Sequence, residues 1–63
     1  MTYENVAIET IERLRVEDAE YARSRMYDMV ASFRRQKHAS TFASECNDLE
    51  RAISTLLRAI EAL

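Results

Sequence analysis

Apolar residues recur in a heptad along the last third of the chain. They alternate in steps of four and three residues, at Phe42, Cys46, Leu49, Ile53, Leu56, Ile60 and Leu63. This spacing places one continuous stripe along an amphipathic helix. Further apolar residues flank the stripe at Ala43, Ala52, Leu57 and Ala59. Because they widen the apolar face beyond what one neighbouring helix covers, the pattern predicts a helix over 42–63 with two neighbours.

A looser apolar period over the first part of the chain predicts a long first helix, from about residue 3 to residue 37. Its steps average about 3.7 residues and join Ala7, Ile11, Leu14, Asp18, Ala22, Met26, Met29 and Phe33. Thr2 is suited to cap the N-terminus of this helix, and the basic residues of 34–38 suit its C-terminus. The polar segment 16–18 is either a stutter in one helix or a break at which Asp18 caps a separate helix.

These elements predict an all-α fold with a single domain over residues 1–63. We expect an antiparallel helical hairpin, in which Ser40 or Thr41 caps a second helix shorter than the first. At 1.5 Å per residue the two helices span about 52 Å and about 33 Å, so the N-terminal part of the first helix lacks cover from its own chain. Oligomerisation or a partner is therefore expected to complete the fold. The residues predicted to bind a partner are Tyr3, Val6, Ile8, Ile11, Leu14, Leu57 and Ile60.

Length and cysteine content strengthen the expectation of a partner. The chain has 63 residues, no Gly, no Pro and one Cys, so it has no intramolecular disulfide to stabilise a small core. Oligomerisation, a bound partner or very regular helix packing has to stabilise it instead, and the uncovered start of the first helix favours the first two. Self-association of the isolated chain is therefore predicted.

Charge is divided along the chain. Residues 1–20 carry six acids and two bases, 21–38 carry five bases and one acid, and 39–63 carry four acids and two bases. The overall charge of −2 argues against nucleic-acid binding, which needs a concentrated basic surface. The basic segment is instead interpreted as a surface for an acidic partner or as a solvated face. We expect no membrane association and a cytoplasmic location, because no apolar run reaches about 20 residues and the start does not resemble a signal peptide.

Catalytic or metal-binding chemistry is not indicated. His38 and Cys46 are the only residues of their types, and no H-x-x-x-H or C-x-x-C spacing occurs. Cys46 lies on the apolar stripe and is predicted to pack as a small hydrophobe. The sequence therefore predicts a protein without enzymatic activity, cofactor or metal.

One stretch of the second predicted helix carries a family resemblance. Phe42 near the helix start is followed by Leu49-Glu50-Arg51-Ala52-Ile53 and then by Leu56 and Leu57. This arrangement resembles the second helix of the small co-chaperones of type III secretion needle proteins. The total length, the Met1-Thr2 start and the long first helix before a polar turn are also similar to that family.

The resemblance implies a function. Members of that family are cytosolic helical hairpins that pair with a larger tetratricopeptide-like chaperone, and together the two keep the needle subunit soluble and monomeric. The partners implied are thus a larger helical-repeat chaperone and a secreted needle subunit. The alternative is a homodimeric helical-bundle regulator or inhibitor, of the kind that a phage could encode.

Overall fold

The computed structural model describes residues 2–63 and forms three helices, with no strand in that range. Helix α1 is Tyr3–Leu14, α2 is Ala19–Ala39 and α3 is Ala43–Glu61. The predicted all-α class is confirmed. The prediction of one continuous first helix is wrong, because the chain leaves the helical conformation after Leu14 and begins a new helix at Ala19. The fold is therefore a three-helix arrangement and not a two-helix hairpin.

The break between α1 and α2 follows from capping and from the lack of apolar contacts. The Asp18 carboxylate accepts hydrogen bonds from the backbone N–H groups of Glu20, at 3.1 Å, and Tyr21, at 3.3 Å. These bonds satisfy two donors that the first turn of α2 leaves without intrahelical partners. Val16 is 88% exposed, so no packing holds this segment in a continuous helix. Of the two alternatives for 16–18, the separate helix capped by Asp18 is the one observed.

Helices α2 and α3 form an antiparallel pair of similar length, with 21 and 19 residues. Lys37 Nζ, near the end of α2, lies 3.3 Å from Glu50 Oε1 in the first half of α3. The predicted capping of the last helix by Ser40 or Thr41 is wrong, because α3 begins after Phe42 and has no side-chain cap. Ser40 Oγ instead accepts a hydrogen bond from the Phe42 N–H, at 3.3 Å, within the turn.

Helix α1 packs on α3, and its N-terminus is capped by two side chains, one from the preceding residue and one from α3. Thr2 Oγ1 accepts from the Asn5 N–H at 3.1 Å, which confirms the predicted N-cap. The Asp48 carboxylate of α3 accepts from the N–H groups of Tyr3, at 2.8 Å, and Glu4, at 3.3 Å. Since Tyr3 lies beside Asp48 and the 15–18 segment leads to the far end of α3, α1 and α3 run in the same direction.

The core lies along α3, which packs closely against both other helices, whereas the backbones of α1 and α2 lie further apart and are joined by the Tyr3–Phe33 ring contact. Its buried apolar residues are Ala7, Ala22, Met26, Val30, Phe33, Leu49, Ala52, Ile53, Leu56 and Ile60. The heptad prediction is confirmed from Leu49 to Ile60 and wrong at both ends, where Phe42 is 69% and Leu63 43% exposed. The two predicted neighbours of this helix are both present, and both belong to the same chain.

Candidate interaction surfaces

The residues predicted to bind a partner are mostly covered by the chain itself. Tyr3, Val6, Ile11, Leu14 and Leu57 are partly buried against the core, and Ile60 is buried. The expectation that the start of the first helix lacks intrachain cover is therefore wrong, because the break at 15–18 returns α1 to the second side of α3. Ile8 alone of this set is exposed, at 41%. Contact of these residues with a partner stays a prediction.

A groove runs between α1 and α2, since the backbones of these two helices lie close to α3 but further from each other. We call this the α1/α2 groove. Its volume is about 490 Å³, and it is lined by Thr10, Arg13, Leu14, Glu17, Tyr21, Arg25, Asp28, Met29, Ser32 and Phe33. Leu14 and Met29 are only half-buried, so they present apolar surface to the groove. Polar and charged side chains form the rest of the lining, which leaves an apolar centre with a polar rim.

The charges of the α1/α2 groove are of both signs on both sides. Helix α1 and the segment after it contribute Arg13 and Glu17, and α2 contributes Arg25 and Asp28. Arg25 Nη1 lies 3.7 Å from Asp28 Oδ2, and both side chains are more than half exposed. Such an exposed pair contributes little to stability, so both groups are free to be reoriented by a bound chain.

A second surface lies where α2 and α3 meet, at a depression that no α1 residue lines. Its centre is a depression of about 590 Å³ lined by Arg34, Lys37, His38, Cys46, Glu50, Ile53 and Ser54. With 3.6 residues per turn, two rows continue from this depression along the helices. The α2 row is Arg23, Tyr27, Arg34 and His38, and the α3 row is Glu50, Ser54, Leu57 and Glu61. We call this surface the α2/α3 flank.

Two residues that hold the site in shape were not predicted from the sequence. Asp48 caps α1 from α3, a contact between residues 45 apart in the chain. Thr10 is 8% exposed on the buried side of α1, where its hydroxyl donates to the Val6 carbonyl at 2.9 Å and accepts from Arg13 Nη2 at 3.3 Å. Burial of Thr10 was not predictable from the sequence, because threonine occurs on both the buried and the exposed faces of amphipathic helices.

Cys46 and His38 lie near the turn between α2 and α3. The Cys46 thiol is half-buried, with Sγ 3.7 Å from the Lys37 carbonyl oxygen and 3.9 Å from that of Ser40. It thus lies against two carbonyls at the end of α2, and the Lys37 carbonyl also accepts the Ser40 N–H at 3.3 Å. His38 is exposed. Within residues 2–63, no three His, Cys, Asp or Glu side chains are grouped so as to hold a metal ion.

Comparison with known proteins gives no family assignment. No protein-family model, curated protein or solved structure gives a significant match to the chain. Across the described part of the chain, no helix combines the length and the hydropathy that crossing a bilayer requires.

Proposed function

We propose that the protein is a non-enzymatic, cytoplasmic interaction protein that binds an amphipathic helix of another protein in the α1/α2 groove. The observation that carries this proposal is the separation of α1 from α2 above a shared α3. In a closed three-helix bundle each helix packs along both others, and here the backbones of α1 and α2 lie further apart than either lies from α3, although the Tyr3 and Phe33 rings meet across the gap at a centroid distance of 5.5 Å. A fourth helix laid in the groove would cover Leu14 and Met29 and complete a four-helix bundle.

The chemistry of the groove supports a helix as its occupant. Apolar side chains at i, i+3, i+4 and i+7 of a bound helix would lie on the apolar residues that line the groove, which are Leu14, Met29 and Phe33. Methionine suits such a surface because its flexible thioether adapts to different apolar partners. The charged rim offers Arg13 and Glu17 on one side, so a bound helix needs charges of both signs along its edges.

The co-chaperone role is the specific form of this proposal. It comes from the resemblance in residues 42–57, which implies a tetratricopeptide-like chaperone and a needle subunit as partners. On that hypothesis the groove shields an aggregation-prone helix of the needle subunit or docks on the larger chaperone. Either use needs a groove that opens to one side, and neither needs a catalytic residue.

The test is affinity capture from the native cytoplasm, with variants that separate the groove from the rest of the surface. Met29→Asp places a charge in the apolar centre of the groove, and Ser32→Arg adds bulk at its wall. Ala31→Asp is the matched control, because Ala31 is exposed on the same helix and does not line the groove. Each variant is first checked for helicity by circular dichroism, and Ser32→Arg replaces Met29→Asp if the latter unfolds.

If the groove binds a partner, the wild type and Ala31→Asp should capture that partner, and the groove variants should not. Recombinant partner should then bind with at least about a tenfold loss for the groove variants, as for a buried contact at an interface centre. The co-chaperone form further expects less soluble needle subunit in cells that carry a groove variant. Equal capture by all variants contradicts the groove. Capture of DNA together with two copies of the chain would favour the homodimeric regulator.

A further inference from the structure

From the α2/α3 flank, a surface distinct from the α1/α2 groove, we infer that two copies of the chain pair. In this pair α2 of one copy lies over α3 of the other, and the two-fold axis runs parallel to the helices. The inference rests on how charge and apolar surface are arranged on the flank, and it does not depend on the proposed function.

The two rows of the flank carry opposite charge. The α2 row has arginines at 23 and 34, whereas the α3 row has Glu50 and Glu61 near its two ends. Arg34 and Glu50 are exposed and lie at the same level, since both line one depression. The Lys37–Glu50 contact of 3.3 Å shows that a cation of α2 and an acid of α3 meet at this level within one chain.

The middle of the flank is apolar and incompletely covered. Tyr27 is 50% exposed, and Leu57 is only partly buried against the core. Ile53 lines the same depression from beneath. An apolar centre between charged ends is the arrangement of a protein interface, and tyrosine is enriched in such positions.

Symmetry selects the arrangement of the pair. In an isologous dimer the same surface meets itself, so each row must lie over some row of the partner. A two-fold axis across the helices would lay α2 over the partner's α2 and bring arginines together. An axis parallel to the helices lays α2 over the partner's α3 at the same level, so that arginine row meets glutamate row twice. Of these two face-to-face arrangements, only the second is electrostatically complementary.

A dimer interface of standard size would occupy a large part of one face of this small molecule. A standard interface buries about 800 Å² on each partner, about a fifth of this molecule's surface of 4461 Å². No face of the molecule has Cα extents larger than 36 by 19 Å, so an interface of that size uses most of the long face that α2 and α3 share. The resulting dimer is a four-helix core of two α2 and two α3 helices, with an α1 at each side.

The test uses charge reversal and mixing, measured by sedimentation equilibrium from about 1 µM to about 1 mM. Arg34→Glu places like charges across both symmetric contacts, and Glu50→Arg does the same with the opposite sign. Each variant alone should weaken the dimer at least about tenfold, and a mixture of the two should form a heterodimer, because both contacts are then attractive again. Arg35→Glu is the matched control, since Arg35 is exposed one residue further along α2 and lies off both rows.

Each outcome bears directly on the inference. A wild-type chain that stays monomeric to about 1 mM overturns it. Equal weakening by Arg35→Glu would show that only total charge matters, and failure of the mixture to associate would exclude α2 over α3. Circular dichroism of each variant confirms that the fold is intact, as expected for exposed positions. Met29→Asp in the groove should leave the dimer unchanged, so the failure of one proposal is distinguishable from failure of the other.

Discussion

Replacement of Asp48 by alanine should destabilise the attachment of α1 to α3. The carboxylate accepts hydrogen bonds from two backbone N–H groups in the first turn of α1, at 2.8 Å and 3.3 Å. Loss of an N-cap side chain costs about 0.5 to 2 kcal/mol, and loss of a negative charge at a helix N-terminus costs about 0.3 to 1 kcal/mol. Since Asp48 is only half-buried, water replaces part of the lost bonding. We therefore expect a loss of about 1 to 2 kcal/mol in the free energy of unfolding.

Thermal and urea unfolding followed by circular dichroism measure this loss. For a domain of this size each kcal/mol lowers Tm by about 4 to 8 °C, so Asp48→Ala should lower Tm by about 4 to 16 °C. Asn47→Ala is the control, because Asn47 is exposed on the same helix next to Asp48. It should change Tm by much less.

Hydrogen exchange then locates the effect. Because the lost bonds are those of the Tyr3 and Glu4 amides, Asp48→Ala should speed exchange in α1 more than in α2 or α3. In a hairpin with one continuous first helix, those amides would extend beyond the far end of the second helix and could not reach Asp48. If Asp48→Ala behaved like Asn47→Ala, or loosened all three helices equally, the folding back of α1 would be refuted.

Further substitutions test the core, the Asp18 cap and the Tyr3–Phe33 contact by the same unfolding measurements. Leu56→Ala, at a fully buried position, should lower the free energy of unfolding by about 2 to 5 kcal/mol. Phe42→Ala, at the exposed end of the heptad, should change it by no more than about 0.5 kcal/mol. Similar losses for both variants would refute the assignment of the core. Asp18→Ala should cost about 1 kcal/mol as a lost N-cap, and a smaller effect than that of Glu17→Ala would argue for a continuous helix. Tyr3→Leu removes an edge-to-face contact with Phe33, at a centroid distance of 5.5 Å, and should cost about 0.5 to 1.5 kcal/mol beyond any lost burial; no loss would show that the pair only fills space.

The helix with the regular apolar period was predictable, and the path of the chain before it was not. The heptad identified Leu49, Ile53, Leu56 and Ile60 because burial of a helix face imposes a period on the sequence. The break at 15–18 gives a weaker signal, since no Gly or Pro marks it. From the sequence alone, Asp18 is equally compatible with an N-cap and with a stutter in one continuous helix. Which role it takes depends on whether α1 is more stable packed on α3 than continued into α2.

The packing of α1 on α3 depends on contacts between residues that are far apart in the sequence. The Asp48 cap joins positions 45 residues apart, and a lone aspartate on an amphipathic helix has the same sequence pattern whether it caps another helix or faces water. The candidate interaction surfaces were also hard to predict, because they depend on the same path of the chain. Leu14 was predicted as a partner residue because the first helix was expected to overhang the second, and Leu57 because it flanks the apolar stripe. The folded chain instead places Leu14 in the lining of the groove and Leu57 on the flank.

The position of α1 changes what a partner has to supply. A hairpin with an uncovered start would need its partner to complete the core, so folding and binding would be one event. In the three-helix fold α1 already covers the second side of α3, and Ala7, Leu49, Ala52 and Leu56 are fully buried within the chain. A partner then adds only the surface of the groove or of the flank. Binding is thereby separated from folding, and a substitution on either surface can weaken association while the helices stay formed.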